Sequence, residues 1–373
     1  MIPFIKESAE LVEVFLQAVE LEQPDFILIT GDLTTNGEMV NHKELADLFR
    51  ETEEAGVQVY VLPGNHDIMN PYAASFLGDK HELIDSVYPK DFADIYNNFG
   101  YLESIYRDPN SLSYVVEPVG GLWLVCIDSN SYSDNYNNGY PWPYGSVQTF
   151  LYQWLEEVLD SAASQGKKVI AAIHHPVINP VDAGNQSFAS QTVASADHVV
   201  DFLIRHNVPA IFSGHTHAQN ITEIDWVNGK LYDIGTGALP VFPHIYRIAE
   251  ITPDQKLKLD WSEITSLPSY RERDEDFYKM SWEFAVYNRI ESMQKNLTKT
   301  QQFSDEEAYA MAEYLGLLGV RYMGGFDNDL GELTEHPGAK LWEQVENGNL
   351  ARYVTLVSND PGPEDNSALI ALD

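Results

Sequence analysis

Three things are scarce in this sequence. Cysteine occurs once, as Cys126, so no disulfide forms within the chain. Apolar runs are short: none reaches the roughly 18 residues that a membrane-spanning helix needs. Basic residues are few, with 22 Lys and Arg against 57 Asp and Glu, a net charge of −35. That imbalance repels polyanionic duplexes and anionic membrane surfaces, which argues against a nucleic-acid polymer as partner. It also repels small anionic substrates unless bound metal ions reverse the local field. Cys126 lies in the run Leu122-Trp123-Leu124-Val125-Cys126-Ile127 and reads as a buried strand thiol. Disulfide-free chains occur in every compartment, and Met1-Ile2-Pro3-Phe4-Ile5 is too short for a signal peptide.

The rest of the composition is that of a globular protein, 44% apolar and 21% charged over 373 residues. That length accommodates one large domain and an accessory piece. Leu11, Val12, Phe15, Leu16 and Val19 repeat at helical spacing, predicting a helix over 6–22. Phe26 to Ile29 then reads as a buried strand, and 42–55 as a helix with Asn41 as N-cap. Val57 to Leu62 is the next strand, so the alternation implies parallel strands covered by helices. Residues 68–110 break the rhythm as a partly helical insertion. Strands at 112–117 and 122–127 form a hairpin around Gly120-Gly121. The Tyr-, Asn- and Pro-rich segment 128–145 reads as a binding loop or lid. Ser146 caps a further helix, a strand follows at 168–173, and a helix at 196–206 leads to a strand at 209–213. A hairpin turning at Asn228-Gly229 and strands near 245–251 and 257–264 complete this part. Beyond about 270 strands give way to helices (274–296, 304–316 and 338–347) and a loose tail. The domain division is therefore 1–268 and 269–373.

Four motifs stand at strand ends: Gly31-Asp32, Gly64-Asn65-His66-Asp67, His174-His175-Pro176 and Gly214-His215-Thr216-His217. In open α/β sheets the C-terminal edge of the strands is where sites assemble. A two-metal hydrolase needs a carboxylate that bridges both ions, which suits Asp32. Asn65 offers a neutral amide oxygen to a metal. His66 beside it suits proton donation to a leaving oxygen, with Asp67 orienting its ring. His215 and His217, two apart in extended chain, address neighbouring ions. Taken alone, a Gly-Asp is a turn or cap; in this order at strand ends the set carries weight. His42, His198, His206 and His336 read as structural, with His42 on the surface of a first helical turn.

On these motifs the chain resembles the calcineurin-like metallophosphoesterases, whose pattern runs D-x-H, G-D, G-N-H-[DE], a lone His and G-H-x-H. The resemblance covers roughly residues 25–264, and all but the first block match. It implies a four-layer α-β-β-α sandwich of two mixed sheets, here short of one N-terminal strand, plus a helical C-terminal extension. It implies that two divalent ions (Mn, Fe or Zn) are held by Asp32, Asn65, His174, His215 and His217. Asp32 bridges them; Asn65, His174 and His215 complete one site, and His217 belongs to the other. His66 and Asp67 become the catalytic residues, and Asn65, His66 and His244 the substrate-binding ones. Activated hydroxide then attacks phosphorus in line. His174 matches the ligand, and His175 supports it from behind. Thr35 stands where purple acid phosphatases carry a metal-binding tyrosine, against an iron(III)–tyrosinate site.

The motif set looks most like that of bacterial class III 3′,5′-cyclic-nucleotide phosphodiesterases, pointing to a small phosphodiester such as cAMP. The alternatives are a phosphomonoesterase on the same scaffold and an inactive pseudo-phosphoesterase with a binding role. The lone D-x-H string, Asp79-Lys80-His81, follows the Gly-Asn-His-Asp motif and has no strand before it. The expectation is an N-terminally truncated chain, in which the second ion keeps only Asp32 and His217. The missing segment would also hide an export signal, which full-length relatives often carry. A lost strand leaves a neighbour's hydrogen-bonding edge open, which predicts edge-mediated association. Size-exclusion chromatography with light scattering checks this: larger species are expected, and a monodisperse monomer contradicts it.

Overall fold

The computed structural model describes residues 4, 6–75, 81–181, 192–288, 290–299, 302–360 and 362–372. Helix α1 (Ser8–Glu22) leads into strand β1 (Phe26–Ile29), and α2 (Met39–Glu54) into β2 (Gln58–Val61). β1 and β2 pair in parallel. Helix α2 starts three residues before the sequence pattern suggested. Its N-cap is Glu38, and Asn41 instead donates its amide to the Glu38 carboxylate at 3.1 Å. The insertion contains the helix Pro89–Ile95 and returns as β3 (Tyr106–Arg107). Asp79 and Lys80 lie outside the described residues, and His81 is exposed.

The large sheet has seven strands and is mixed. It contains β3, β4 (Tyr114–Val119), β5 (Leu122–Ile127), β6 (Lys168–Ile173), β7 (Ala210–Ser213), β8 (Asn220–Trp226) and β9 (Gly229–Gly235). Its order is β8-β9-β7-β6-β5-β4-β3. The β5-β6, β6-β7 and β7-β9 pairs are parallel, so β5, β6 and β7 all end at one edge. Alternation along β5 feeds two cores. Leu122, Leu124 and Cys126 face one that also takes Ile27, Val59 and Val61 from β1 and β2. Trp123, Val125 and Ile127 face the other, built with helices α3 (Thr149–Ser164) and α4 (Ala196–Arg205). This is the expected α-β-β-α logic. Helix α3 begins at Thr149, because Ser146 is taken up in a short parallel pairing with Ala194.

The second β-layer comes in two pieces among the described residues. One is the β1-β2 pair; the other is an antiparallel sheet of β10 (Ile245–Ile251), β11 (Lys256–Glu263) and β12 (Ala368–Ala371). β12 corrects the sequence reading of a loose tail. Leu257 pairs with Ile370, and both are buried in the shared core. The run Ala368 to Ala371 is too short, and too isolated behind a Pro- and Asp-rich stretch, to show as a strand on its own. Between β11 and β12 the chain is helical, with α5 (Phe277–Tyr287) and α6 (Asp305–Gly324) as the longest elements. A capping box at Ser304 and Glu307 starts α6. No helix of the described residues is long and apolar enough to cross a membrane.

Ile370 is 2% exposed, whereas its neighbour Leu369 is 57% exposed. Ile370→Ala is expected to lower stability by about 2–5 kcal/mol, as for other buried aliphatic truncations. Leu369→Ala should stay within about 0.5 kcal/mol. Urea unfolding of both variants tests this, since equal, negligible effects are what a loose tail would give.

Candidate metal centre

Each motif sits where its strand ends. β1 delivers Gly31-Asp32, β2 delivers Gly64 to Asp67, β6 delivers His174-His175, and β7 delivers Gly214 to His217. Two glycines make the loops touch. A Cβ on Gly64 would fall 2.1 Å from Asp32 Oδ1, and one on Gly31 would fall 2.6 Å from His174 Nδ1. No side chain fits at either position.

The donor atoms meet at one point. Asn65 Oδ1 lies 3.1 Å from His174 Nε2 and 3.1 Å from His215 Nδ1. Asp32 Oδ1 lies 3.5 Å from the same His174 Nε2. His174 Nδ1 donates to the Thr30 carbonyl at 2.7 Å, so Nε2 is the atom the ring turns inward, carrying a proton or, once a metal ion replaces that proton, a lone pair. Lone pairs of an amide oxygen and an imidazole face each other at this distance only around a proton or a cation. That is the test of fit: the set is carboxylate, amide and imidazole, of borderline hardness, and it suits a divalent metal ion. Asn65 and His174 are buried floor, while Asp32, His66, His215 and His217 are half-buried around it.

The electrostatics agree. Burial opposes ionisation of Asp32, but His174 and His66 together outweigh it and hold the carboxyl below the usual carboxylate range. Burial pushes His174 down, and the Asp32 carboxylate outweighs that and raises it. The centre thus favours positive charge at the point where Asp32 and His174 meet. His217 is lowered by burial and lies within the field of Asp32. Asp32, His215 and His217 all adopt left-handed φ, 54°, 65° and 62°, uncommon for residues with side chains.

His66 lies beside the donor set, its backbone N–H donating to Asp32 Oδ1 at 3.0 Å. Its Nδ1 donates to the Thr35 carbonyl at 2.8 Å, which leaves Nε2 for other work. Asp67 does not orient this ring. It is fully buried and accepts from the backbone N–H groups of Leu33, Thr34 and Gly64 and from the Thr34 hydroxyl. His244 is not at an exposed surface either. Its Nδ1 donates to the Leu239 carbonyl at 2.7 Å, and the ring packs against Phe277 and Phe4. Burial takes it down to about 4. A ring with no exposed surface cannot contact substrate in this conformation.

Around the donors stand supporting residues, of which His42, Asn130 and Asp233 escaped the sequence reading while His175 was expected in this role. His42 is buried, not on the surface, and its Nε2 donates to the Asp67 carbonyl at 3.0 Å. His175 pairs with the Ser129 hydroxyl at 2.8 Å, and burial holds it well below the ordinary imidazole range. Asn130 donates to the Pro63 carbonyl at 2.7 Å, backing the loop that carries Asn65. Asp233 accepts from the N–H groups of Val177 and Ile178 and from the Ser213 hydroxyl, fixing the loop just after His174 and the strand end just before His215. The one sequence signal was Asp233 itself, a carboxylate inside the apolar run Leu231 to Ile234.

The chain is similar to several known proteins. Over 203 residues the chain is 28% identical to a probable glycerophosphodiester phosphodiesterase of Arcobacter nitrofigilis, covering 54% of this chain and 59% of that protein. Over 198 residues it is 25% identical to a probable cyclic nucleotide phosphodiesterase of Rhodococcus erythropolis, covering 52% of each. The chain thus spans a little over half the length of these relatives. A dimetal phosphatase from Danio rerio shares the fold, with a TM-score of 0.50 at 14% identity over 70% of this chain and 88% of that one. The family model of the calcineurin-like phosphoesterases matches residues 6–219, the span that holds every donor around Asn65, and the chain belongs to that family.

Proposed function

We propose that the protein is a metal-dependent phosphodiesterase acting on a small phosphodiester, with 3′,5′-cyclic nucleotides as the substrate class. The observation that carries this is the meeting of Asp32, Asn65, His174 and His215 around one point, with His66 beside them. In this reading Asp32, Asn65, His174, His215 and His217 would hold the divalent ions, with the Asp32 carboxylate the group suited to serve both. Bound divalent ions supply charge neutralisation at the phosphoryl oxygens and lower the pKa of water.

The chain's own groups do the rest. Asn65 binds through a neutral oxygen, which keeps the centre electrophilic. His66 is held by Nδ1 on the Thr35 carbonyl, so its Nε2 is the atom that stabilises charge on phosphorus or hands a proton to the leaving oxygen. With divalent ions bound, the local field would offset the strongly acidic chain and draw an anionic ester to this edge.

The diester preference is supported by two relatives that are both named as phosphodiesterases. The nucleotide preference is supported by an aromatic wall. Tyr140 stacks on Trp142 at 5.9 Å, and Trp142 meets Tyr144 at 4.9 Å. This segment is tied to the site loop: Trp142 N–H donates to Asn135 Oδ1, and Asn135 Nδ2 donates to the Ile68 carbonyl. Gly145 lies directly on the His175 ring, where no side chain fits. Planar rings of this kind bind a base by stacking.

With added Mn, bis-p-nitrophenyl phosphate should be turned over faster than p-nitrophenyl phosphate, and cAMP should be hydrolysed. His66→Ala should lower kcat by about 10²–10⁴-fold while keeping its metal content. Asp32→Asn should lose metal, measured by elemental analysis. Faster turnover of the monoester, or full activity of His66→Ala, would refute this reading. Trp142→Ala should raise the KM for cAMP about tenfold with kcat largely kept, as expected for loss of one stacking ring.

A further inference from the structure

Three carboxylates outside the four motifs meet at the junction of the helical extension with the large sheet. Asp327 follows the C-terminus of α6, Asp360 and Asp365 precede β12, and Asp365 Oδ1 accepts from the Ile221 N–H of β8 at 2.8 Å. One oxygen of each of the three lies within 4.8 Å of the others. Asp327 is 3% exposed and Asp365 1%.

The local hydrogen bonds leave a hole in the middle. Neither oxygen of Asp327 receives a well-formed hydrogen bond among the described residues, although its own N–H and the Asp365 carboxyl lie close, and Asp365 Oδ2 receives none. The Tyr322 hydroxyl on α6 is buried and likewise unpartnered. It feels all three carboxylates. The outer atoms, by contrast, are satisfied. Asp360 Oδ1 accepts from the Gly362 N–H, and the Asp365 N–H donates to Asn328 Oδ1. One cation is near: Arg247 donates to the Gly235 and Asp365 carbonyls, not to the carboxylates. Burial, and then the neighbouring Asp327, pushes Asp365 up to about 8, and burial takes Asp327 to about 6. Arg247 is a buried cation in the field of Asp365, without a hydrogen bond to any of the three carboxylates, and the trio still resists ionisation.

From this geometry we infer a second cation site, in which Asp327, Asp360 and Asp365 bind a hard divalent ion of the calcium class. Oxygens on opposite sides of such an ion, each about 2.3–2.6 Å from it, stand no more than about 5 Å apart, which is the spread observed. The trio offers oxygen alone, with neither imidazole nor thiolate in it, so zinc-like ions are disfavoured. Bound there, the ion would fasten the extension and β12 to β8. β8 begins three residues after His217, and Gln219 N–H already donates to the Met323 carbonyl of α6. The site is therefore structural, and it steadies the segment that follows the metal-binding loop.

The test uses the whole chain, stripped of metal, with calcium chloride as the only added ion. Calcium is expected to raise Tm by about 5 °C or more at saturation and to bind at a site that is lost in Asp327→Asn. Asp360→Asn, at a half-buried position, gives a second variant should Asp327→Asn fold poorly. Both variants should match or exceed the wild-type Tm without calcium, because a repelling charge is removed. His215→Ala should keep the calcium shift, which separates this site from the first centre. No calcium-dependent shift, or an equal shift in Asp327→Asn and Asp360→Asn, would overturn the inference and leave ordered water or shared protons at the trio.

Discussion

The Asp67 carboxylate gathers donors from two loops that are far apart in sequence. Leu33 and Thr34 come from the loop after β1, and Gly64 from the loop after β2. Charge-assisted bonds of this kind contribute about 1.5–3 kcal/mol each, and losing the acceptor strands buried N–H groups. Burial raises the Asp67 carboxyl, and the His42 ring packed against it opposes that. Once these loops are joined, Asp32 has one place to be. Its Oδ1 then receives the His66 N–H, and the donor set around Asn65 follows.

Strain is distributed over the same loops. Asp32, His215 and His217 hold left-handed backbones, at an approximate cost of 1–3 kcal/mol each. Those conformations belong to three of the side chains proposed to hold metal at the edge of the sheet. The parallel strands behind them supply the rigidity, since β5, β6 and β7 are hydrogen-bonded neighbours with both faces covered. Asp233 and Asn130 are the buttresses on either side.

The strands and the four motifs were legible because β-branched apolar runs end abruptly in Gly, Asp, Asn and His. What was not legible depends on partners distant in sequence. His42 looks like a surface residue of an amphipathic helix, yet it is buried because Asp67, Tyr96 and Phe92 close over it. His244 sits in a loop rich in Gly and Pro, which suggests exposure, but Phe277 of the extension covers it. Asp67 reads as a partner for its neighbour His66; its actual partners are Gly64 within its own loop and Leu33 and Thr34 of the loop after β1. Ser146 has the look of a cap until Ala194 pairs with it. The final strand is the extreme case: nothing in Ala368 to Ala371 hints at Leu257 and Leu259, which it meets across the whole extension.

That last pairing has a kinetic side. β11 and β12 are adjacent in the sheet, but every helix of the extension lies between them in the chain. Closing so large a loop costs conformational entropy before the pairing returns anything, and such contacts form late. During synthesis the antiparallel sheet stays open at β11 until the extension has emerged and found its place. The extension therefore cannot act as a detachable appendage. It is an insertion within a sheet, held at both ends, and its folding gates completion of the layer that carries β10.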